Sequence, residues 1–248
     1  MNDWLSRTEL LLGQEKLDKL RRSSVLVMGL GGVGAYAAEL ICRAGVGTMT
    51  IADGDLVHPT NRNRQLPALV SNQGKSKAKV MQERLLDINP ELNLTVIEEY
   101  VRDERMLDVL RSQKFDYVVD AIDTISPKLF LMIHCLELGY PIVSSMGAGG
   151  KTEPLSVRYG DISESKGCPL ARVLRKRLHR RGIYTGVKVV WSPEEIDPDA
   201  VVVTEGEQNK KSNVGTISYM PPLFGCVLAS VVVRDICGVG DILRAVRY

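Results

Sequence analysis

The stretch Val25–Gly47, VLVMGLGGVGAYAAELICRAGVG, places Gly29, Gly31, Gly32 and Gly34 between an apolar run and a helix-like segment. Gly29, Gly31 and Gly34 spell GxGxxG directly after a strand pattern, the context in which backbone N–H groups and a helix N-terminus hold phosphate oxygens. The next apolar segment, TMTIAD, ends on Asp53, 19 residues after Gly34. A carboxylate there accepts hydrogen bonds from ribose hydroxyls. NAD and ATP both offer phosphates and ribose, so these two features leave the nucleotide open. A glycine turn used only for tight packing is the third reading.

Outward from that turn the pattern alternates. SVLVM reads as a buried strand, GAYAAELICRAG as a helix packed closely on a sheet, and TMTIAD as a second strand. A polar loop runs to about Gly74, followed by a helix KSKAKVMQERLLDIN, a strand LTVIEEY, a helix through Leu110 and a strand DYVVDAID. A helix from Pro127 to Leu138 leads into a strand PIVSSMG. This repetition predicts an α/β fold, a doubly wound, mainly parallel, Rossmann-like sheet with helices on both faces. Beyond GAGGKTEP the pattern changes to an edge strand LSVRYG, a basic helix from about Pro169 to Arg181 and a strand GVKVVW. The polar stretch Ser192 to Ser212 reads as a mobile loop, and a last helix from about Leu223 to Cys237 docks back on the sheet. The expectation is one domain over residues 1–248, with a nucleotide-binding core at about 20–147 and a substrate-facing part at about 148–248.

Composition bounds the rest. With 32 Lys and Arg against 30 Asp and Glu, the net charge of +2 carries no global signature of a nucleic-acid binder, so any basic patch is local. The five cysteines, Cys42, Cys135, Cys168, Cys226 and Cys237, form no CxxC pair, which argues against a disulfide framework or a four-thiolate zinc site and for a reducing cytoplasm. The opening MNDWLSRTELLLGQEKL has acids and no long apolar core, unlike a signal or transit peptide. The apolar run Leu223 to Val233 is too short to span a bilayer, so it reads as a buried helix and no membrane is expected.

The residues after Asp53 separate the nucleotides. DGDLVHPTNRNRQ and GKSKAKV bring Asn61, Arg64, Lys75 and Lys77 downstream of the ribose position. A dehydrogenase has little use for such cations, whereas cleavage of ATP between its α- and β-phosphates needs positive charge on the transferring phosphate and the leaving pyrophosphate. Taken singly, each basic residue also fits solvated helix surface. DYVVDAID ends on Asp120 and Asp123, at the carboxyl end of a strand, where a carboxylate can hold Mg²⁺ against phosphates. Asp123 before Thr124 also fits a helix N-cap.

Together, GLGGVG, Asp53, NRNRQ, GKSKA and DAID resemble the adenylating enzymes related to ubiquitin-activating proteins and to bacterial activators of molybdopterin synthase and thiamine sulfur carriers. That resemblance implies ATP and Mg²⁺ as cofactors, with ATP contacts from the turn Gly29 to Gly34, chiefly Gly31 and Gly32. It implies ribose contact from Asp53, with Asp55 in the same set, and polar and phosphate contacts from Asn61, Arg64 and Lys77. It places Asp123 on the magnesium side. Arg7, in WLSRTELLLGQEKL, matches the segment in which the family donates an arginine from the partner subunit, which implies a homodimer. The catalytic set so implied is Arg7, Arg64, Lys77 and Asp123.

Within the superfamily, RTELLLGQEKL, DAIDTISPK, SSMGAGGKTEP and CPLARVLRK are most similar to its tRNA-modifying branch, whose corresponding last segment begins DPLARVLRK. That similarity covers nearly the whole chain. It implies ATP-dependent activation of the carboxylate of threonylcarbamoyladenosine beside the tRNA anticodon, so that the modification closes into a cyclic form. The chain lacks the two CxxC pairs that hold structural zinc in the sulfur-carrier activators. Adenylation of a ubiquitin-like sulfur carrier stays as the alternative inside the superfamily, and an NAD-binding redox protein as the alternative outside it. A helper protein that positions tRNA is left open.

The basic helix points to RNA independently. Arg172, Arg175, Lys176, Arg177, Arg180 and Arg181 fall within ten positions, with Val173, Leu174 and Leu178 to anchor the element. Such a stripe suits an RNA backbone, although a solvated helix face gives the same pattern. Tyr159, Tyr184 and Trp191 read as packing rather than base-stacking groups. Cys168 is the best placed of the cysteines for a thioester, yet a substrate with its own nucleophile needs none. His58, His134 and His179 are too dispersed for a triad or a metal cluster.

Overall fold

The computed structural model describes residues 4–203 and 212–239. The chain opens with two short helices, α1 (Ser6–Leu12) and α2 (Gln14–Arg22), and then alternates: β1 (Ser24–Met28), α3 (Gly34–Arg43), β2 (Thr48–Ala52), α4 (Lys77–Ile88), β3 (Asn93–Ile97), α5 (Glu104–Arg111), β4 (Tyr117–Asp120), α6 (Ile125–Leu138) and β5 (Ile142–Ser145). After β5 come β6 (Arg158–Asp161), α7 (Pro169–His179), β7 (Lys188–Trp191), β8 (Val201–Val203), β9 (Ser212–Val214) and α8 (Met220–Cys237). The seven-stranded sheet has the order β3-β2-β1-β4-β5-β7-β6, and only β6 runs antiparallel to its neighbour.

β1, β4 and β5 are buried along their whole length, as central strands covered on both faces are. Alternate residues of β1 feed two cores. Val25 and Val27 pack with α3, α4 and α8, while Leu26 and Met28 pack with α5, α6 and α7. The chain leaves β1 toward β2 and β3, then crosses to β4 on the other side of β1. A topological switch point therefore opens at the carboxyl ends of β1 and β4, the place where open α/β sheets take ligands.

Several boundaries differ from expectation. β3 stops at Ile97 rather than Tyr100, because the last residues leave the sheet edge and the Tyr100 hydroxyl bonds to Asp55. The edge strand expected in LSVRYG is shifted to Arg158–Asp161, with Pro154–Ser156 forming a 3-10 turn before it. In the stretch read as a mobile loop, β8 and β9 pair antiparallel; the residues between them, 204–211, lie outside the described residues. The final helix begins at Met220 rather than Leu223, since Pro221 and Pro222 occupy a first turn whose N–H groups have no intrahelical acceptor. At 18 residues α8 is long and apolar enough to cross a membrane by length and composition alone. In this fold it packs against α3 and the sheet, and half of it is buried.

Candidate active site

The register of the sheet aligns the ends of three strands. Met28 pairs with Ala52 and Asp120, so Gly29, Asp53 and Ala121 leave the sheet side by side. Gly29 has φ +91, and a Cβ there would stand 2.7 Å from the Ala121 carbonyl oxygen. A Cβ on Gly34 would stand 1.8 Å from the Gly29 carbonyl oxygen. These two glycines let the turn close between β1 and β4. At Gly31 the nearest neighbour would be the Gln65 amide at 3.7 Å, so protein packing does not account for the missing side chain. Close approach of a phosphate to the backbone is the other setting that asks for glycine.

Asp53 braces this turn. Its Oδ2 accepts from Leu30 N at 2.6 Å and its Oδ1 from Asp55 N at 2.7 Å. Burial pushes its carboxyl above the usual range, against the pull of Lys77 and of the two amides. Lys77, expected to face phosphate, is 3% exposed and its Nζ is paired with Asp55 Oδ2 at 2.8 Å. Asp55 also accepts from the Tyr100 hydroxyl, and that bond with burial pushes the phenol up to about 12. Lys77 and Asp55 thus form an ion pair next to Asp53, so the Lys77 ammonium already has a carboxylate partner.

Asn61 is buried, and its Oδ1 accepts from His58 N at 3.0 Å, which fixes the 3-10 turn Pro59–Asn61. That turn presents Arg64, whose guanidinium bonds the Thr60 carbonyl at 3.0 Å and Asn63 Oδ1 at 2.7 Å. Partial burial pulls Arg64 below its ordinary value, and the charge of the nearby Asp123 carboxylate opposes that shift. Asp123 is exposed at the carboxyl end of β4. It does not cap α6, because Thr124 is the N-cap. Asp120 is committed inward: fully buried, its Oδ2 takes Lys128 Nζ at 2.8 Å and Ser144 Oγ at 2.6 Å. Of the two carboxylates, Asp123 is the one exposed at the switch point. Among the described residues no group of three His, Cys, Asp or Glu forms a metal site by itself. A lone carboxylate with phosphate oxygens suits Mg²⁺, which keeps most of its ligands outside the protein.

The basic helix divides. Arg172, Lys176 and Arg180, spaced by four, are exposed, and so is Arg181. Arg175 instead turns inward, its guanidinium bonding the Ser165 carbonyl and Ser165 Oγ, Arg177 is half-buried, and Arg181 lies over the Phe130 ring at 5.6 Å. Val173 does not anchor the helix; Ala171, Leu174 and Leu178 do. Tyr159, bonded to Arg234, and the buried Trp191 are packing groups, whereas Tyr184 is 60% exposed beside His179. Cys168, the best placed thiol in the sequence, is buried, as are Cys42 and Cys135; burial pushes Cys42 up to about 11 and Cys135 higher. Arg7 is exposed on α1, away from the glycine turn. Leu5 packs against Gly45 at the far end of α3, roughly 15 Å along that helix from Gly34.

Two residues carry a signal that the linear pattern hid. Gln65 Oε1 and Lys151 Nζ are buried side-chain atoms without a hydrogen-bond partner. Gln65 lies in NRNRQ and Lys151 in GAGGKTEP, both beside residues whose chemistry is easier to read. A polar residue at the carboxyl edge of such a sheet is the only sequence cue either offers.

Residues 5–247 match the ThiF family. The chain is 38% identical over 242 residues to the tRNA threonylcarbamoyladenosine dehydratase of Bacillus subtilis (strain 168), covering 93% of this chain and 93% of that protein. It is 40% identical over 171 residues to the enzyme of that name from Escherichia coli (strain K12), covering 69% of this chain and 63% of that protein. The crystal structure of the E. coli tRNA N6-threonylcarbamoyladenosine dehydratase TcdA in complex with ATP superimposes with a TM-score of 0.84 at 33% identity, covering 96% of this chain and 97% of that one.

Proposed function

The chain belongs to the ThiF family, and from that premise we propose that it is an ATP-dependent dehydratase of threonylcarbamoyladenosine in tRNA, acting through an acyl adenylate. The observation that carries the reading is the meeting of the glycine turn, Asp53, Arg64 and Asp123 at one switch point, in a chain that matches an ATP-bound dehydratase along its length. A carboxylate oxygen of the substrate attacks the α-phosphorus and pyrophosphate leaves. An internal nucleophile of the modification then displaces AMP, which carries away the oxygen lost in the dehydration. The turn amides and Arg64 face the charge that develops on the phosphates. Mg²⁺, held by Asp123 and phosphate oxygens, would neutralise the departing pyrophosphate.

Arg7 serves the site of a second copy, since its own nucleotide turn lies at the opposite end of α3. Leu10 and Leu11 on α1 are 89% and 83% exposed, an apolar surface that a homodimer would cover. Arg172, Lys176 and Arg180 form the line that meets RNA phosphates. A reducing cytoplasm suits five free cysteines.

Incubation with ATP and threonylcarbamoyl-modified tRNA is expected to release pyrophosphate and yield the cyclic nucleoside by mass spectrometry. Pyrophosphate release with a ubiquitin-like carrier but not with tRNA overturns the reading in favour of carrier activation. Hydride transfer with NAD would replace it by a redox function.

A further inference from the structure

We infer that Lys151 is the cation that receives the substrate's carboxylate while it is adenylated. This rests on the adenylating reading above and names a residue that binds its acceptor. Lys151 closes the GAGG turn after β5 and is 2% exposed, yet its Nζ has no hydrogen-bond partner. An ammonium removed from water with its donors unused is among the least favourable arrangements a fold can hold, and it persists where an anion is to be met.

The ionisable groups facing Lys151 are Cys168 at the head of α7 and Glu194 and Glu195 beyond β7. Glu194 is already engaged, accepting from Thr152 N at 3.0 Å, Thr152 Oγ1 at 2.9 Å and Glu153 N at 3.1 Å. Burial pulls the ammonium below the ordinary lysine range, and those three neighbours only oppose the shift.

The position of the turn selects the ligand. β5 lies next to β4, so the turn of Lys151 opens on the same sheet edge as Asp123. Residues 214–219 join the two places. Gly150 N donates to Gly215 O at 2.7 Å, the Tyr219 hydroxyl to Thr152 O at 2.9 Å, and Asn63 Nδ2 to Thr216 O at 2.9 Å. Asn63 in turn holds Arg64, the arginine near Asp123. A group bound at Lys151 therefore stands beside the nucleotide site, where the acceptor belongs. A carboxylate approaching polyphosphate meets like charge, and a desolvated ammonium offsets it.

In the first step one carboxylate oxygen bonds to the α-phosphorus as the α–β bridging bond breaks, and pyrophosphate leaves with the electron pair. The other oxygen stays on Lys151. When the internal nucleophile adds to the acyl carbon, negative charge gathers on that same oxygen. The charge returns as the bond to AMP breaks, and the nucleophile's proton passes to water. Lys151 keeps its proton throughout.

Lys151→Met is expected to bind ATP, by isothermal titration, as the unaltered protein does. Its pyrophosphate release on threonylcarbamoyl-modified tRNA is expected to fall about 100-fold or more. Lys151→Arg should recover part of the rate and move the alkaline limb of kcat/KM upward, because a guanidinium stays charged where this ammonium does not. A merely structural lysine would not move that limb. Unimpaired turnover by Lys151→Met, or an alkaline limb that Lys151→Arg leaves in place, overturns the inference. If Lys151→Met does not fold, the Lys151→Arg profile decides. An unaltered protein that releases no pyrophosphate overturns the adenylating reading itself, a different result from a variant that matches an active parent.

Discussion

The turns that leave β4 and β5 each bury a lysine, and they treat it in opposite ways. Lys128, fully buried at the start of α6, has Asp120 at 2.8 Å, and Ser144 and the Ile122 amide satisfy the same carboxylate. Lys151, one strand further along, has no partner for its Nζ. A buried pair whose carboxylate is bonded on both oxygens holds the loop that ends on Asp123. A buried ammonium without one is a binding group whose counter-charge comes from outside. Burial is the same in both places, so the set of partners, and not the burial, separates architecture from chemistry.

Removing Lys128 leaves Asp120 unpaired. Lys128→Ala is expected to cost about 3–5 kcal/mol, because it leaves a buried carboxylate alone. Urea or thermal unfolding reads that loss at roughly 2–4 °C of Tm for each kcal/mol. A variant that melts like the parent would show that the pair is not structural. Next in size are Asp123→Ala and Arg64→Ala, expected to lower kcat by about 10²–10³ while changing stability by less than about 0.5 kcal/mol. If either makes cyclic product at the parent rate, the charges meeting at β4 are not those of the site.

Mixing Arg7→Ala with Asp123→Ala chains tests whether the carboxyl edge is completed from outside the chain. Random re-pairing should restore about a quarter of the parent activity, since half the dimers then hold one intact site of two. Exchange shown by mass photometry without recovered activity would return Arg7 to ordinary surface. Smaller is the effect of Arg172→Ala, Lys176→Ala and Arg180→Ala together. The slope of log affinity for tRNA against log salt should drop by about 0.7–0.9 for each phosphate no longer neutralised. Arg175→Ala, tied to Ser165, should leave the slope unchanged.

The smallest expected effect concerns the stability of Lys151→Met. Because burial lowers the pKa of Lys151, the folded state disfavours its charged form. That penalty is complete below the lowered pKa and fades as pH rises through it toward the ordinary lysine value of 10.5. The methionine variant should therefore melt above the parent at neutral pH, with the margin shrinking in alkali. Less activity with more stability is the signature of a residue kept for function. A melting point that falls would place Lys151 with Lys128.

The nucleotide half is the more legible in the sequence because its signals are local. Gly29 and Gly34 answer to what a Cβ would strike within the same turn or the adjoining loop. The β1, β4 and β5 runs read as buried strands because uninterrupted apolar residues admit no exposed face. Helix boundaries follow prolines and caps. In the C-terminal part periodicity predicts a loop where β8 and β9 pair, since three polar-flanked residues are too short a run to register. Nor does spacing distinguish Arg175 from its neighbours, although the position of Ser165 alone turns it inward.

Sequence alone determined the alternation of strands and helices, the glycine turn and the carboxylates at strand ends, because sterics and periodicity act over a few residues. Tertiary structure decided which charges are spent and which remain. Lys77 closes on Asp55, Asp120 on Lys128, and Asn63 reaches Thr216 across 153 positions, while Lys151 is left with its donors unused. A side chain's type states what it can bond. Only the fold brings a partner within about 3 Å or withholds it, and in a water-poor interior that choice turns one lysine into a brace and another into a binding group.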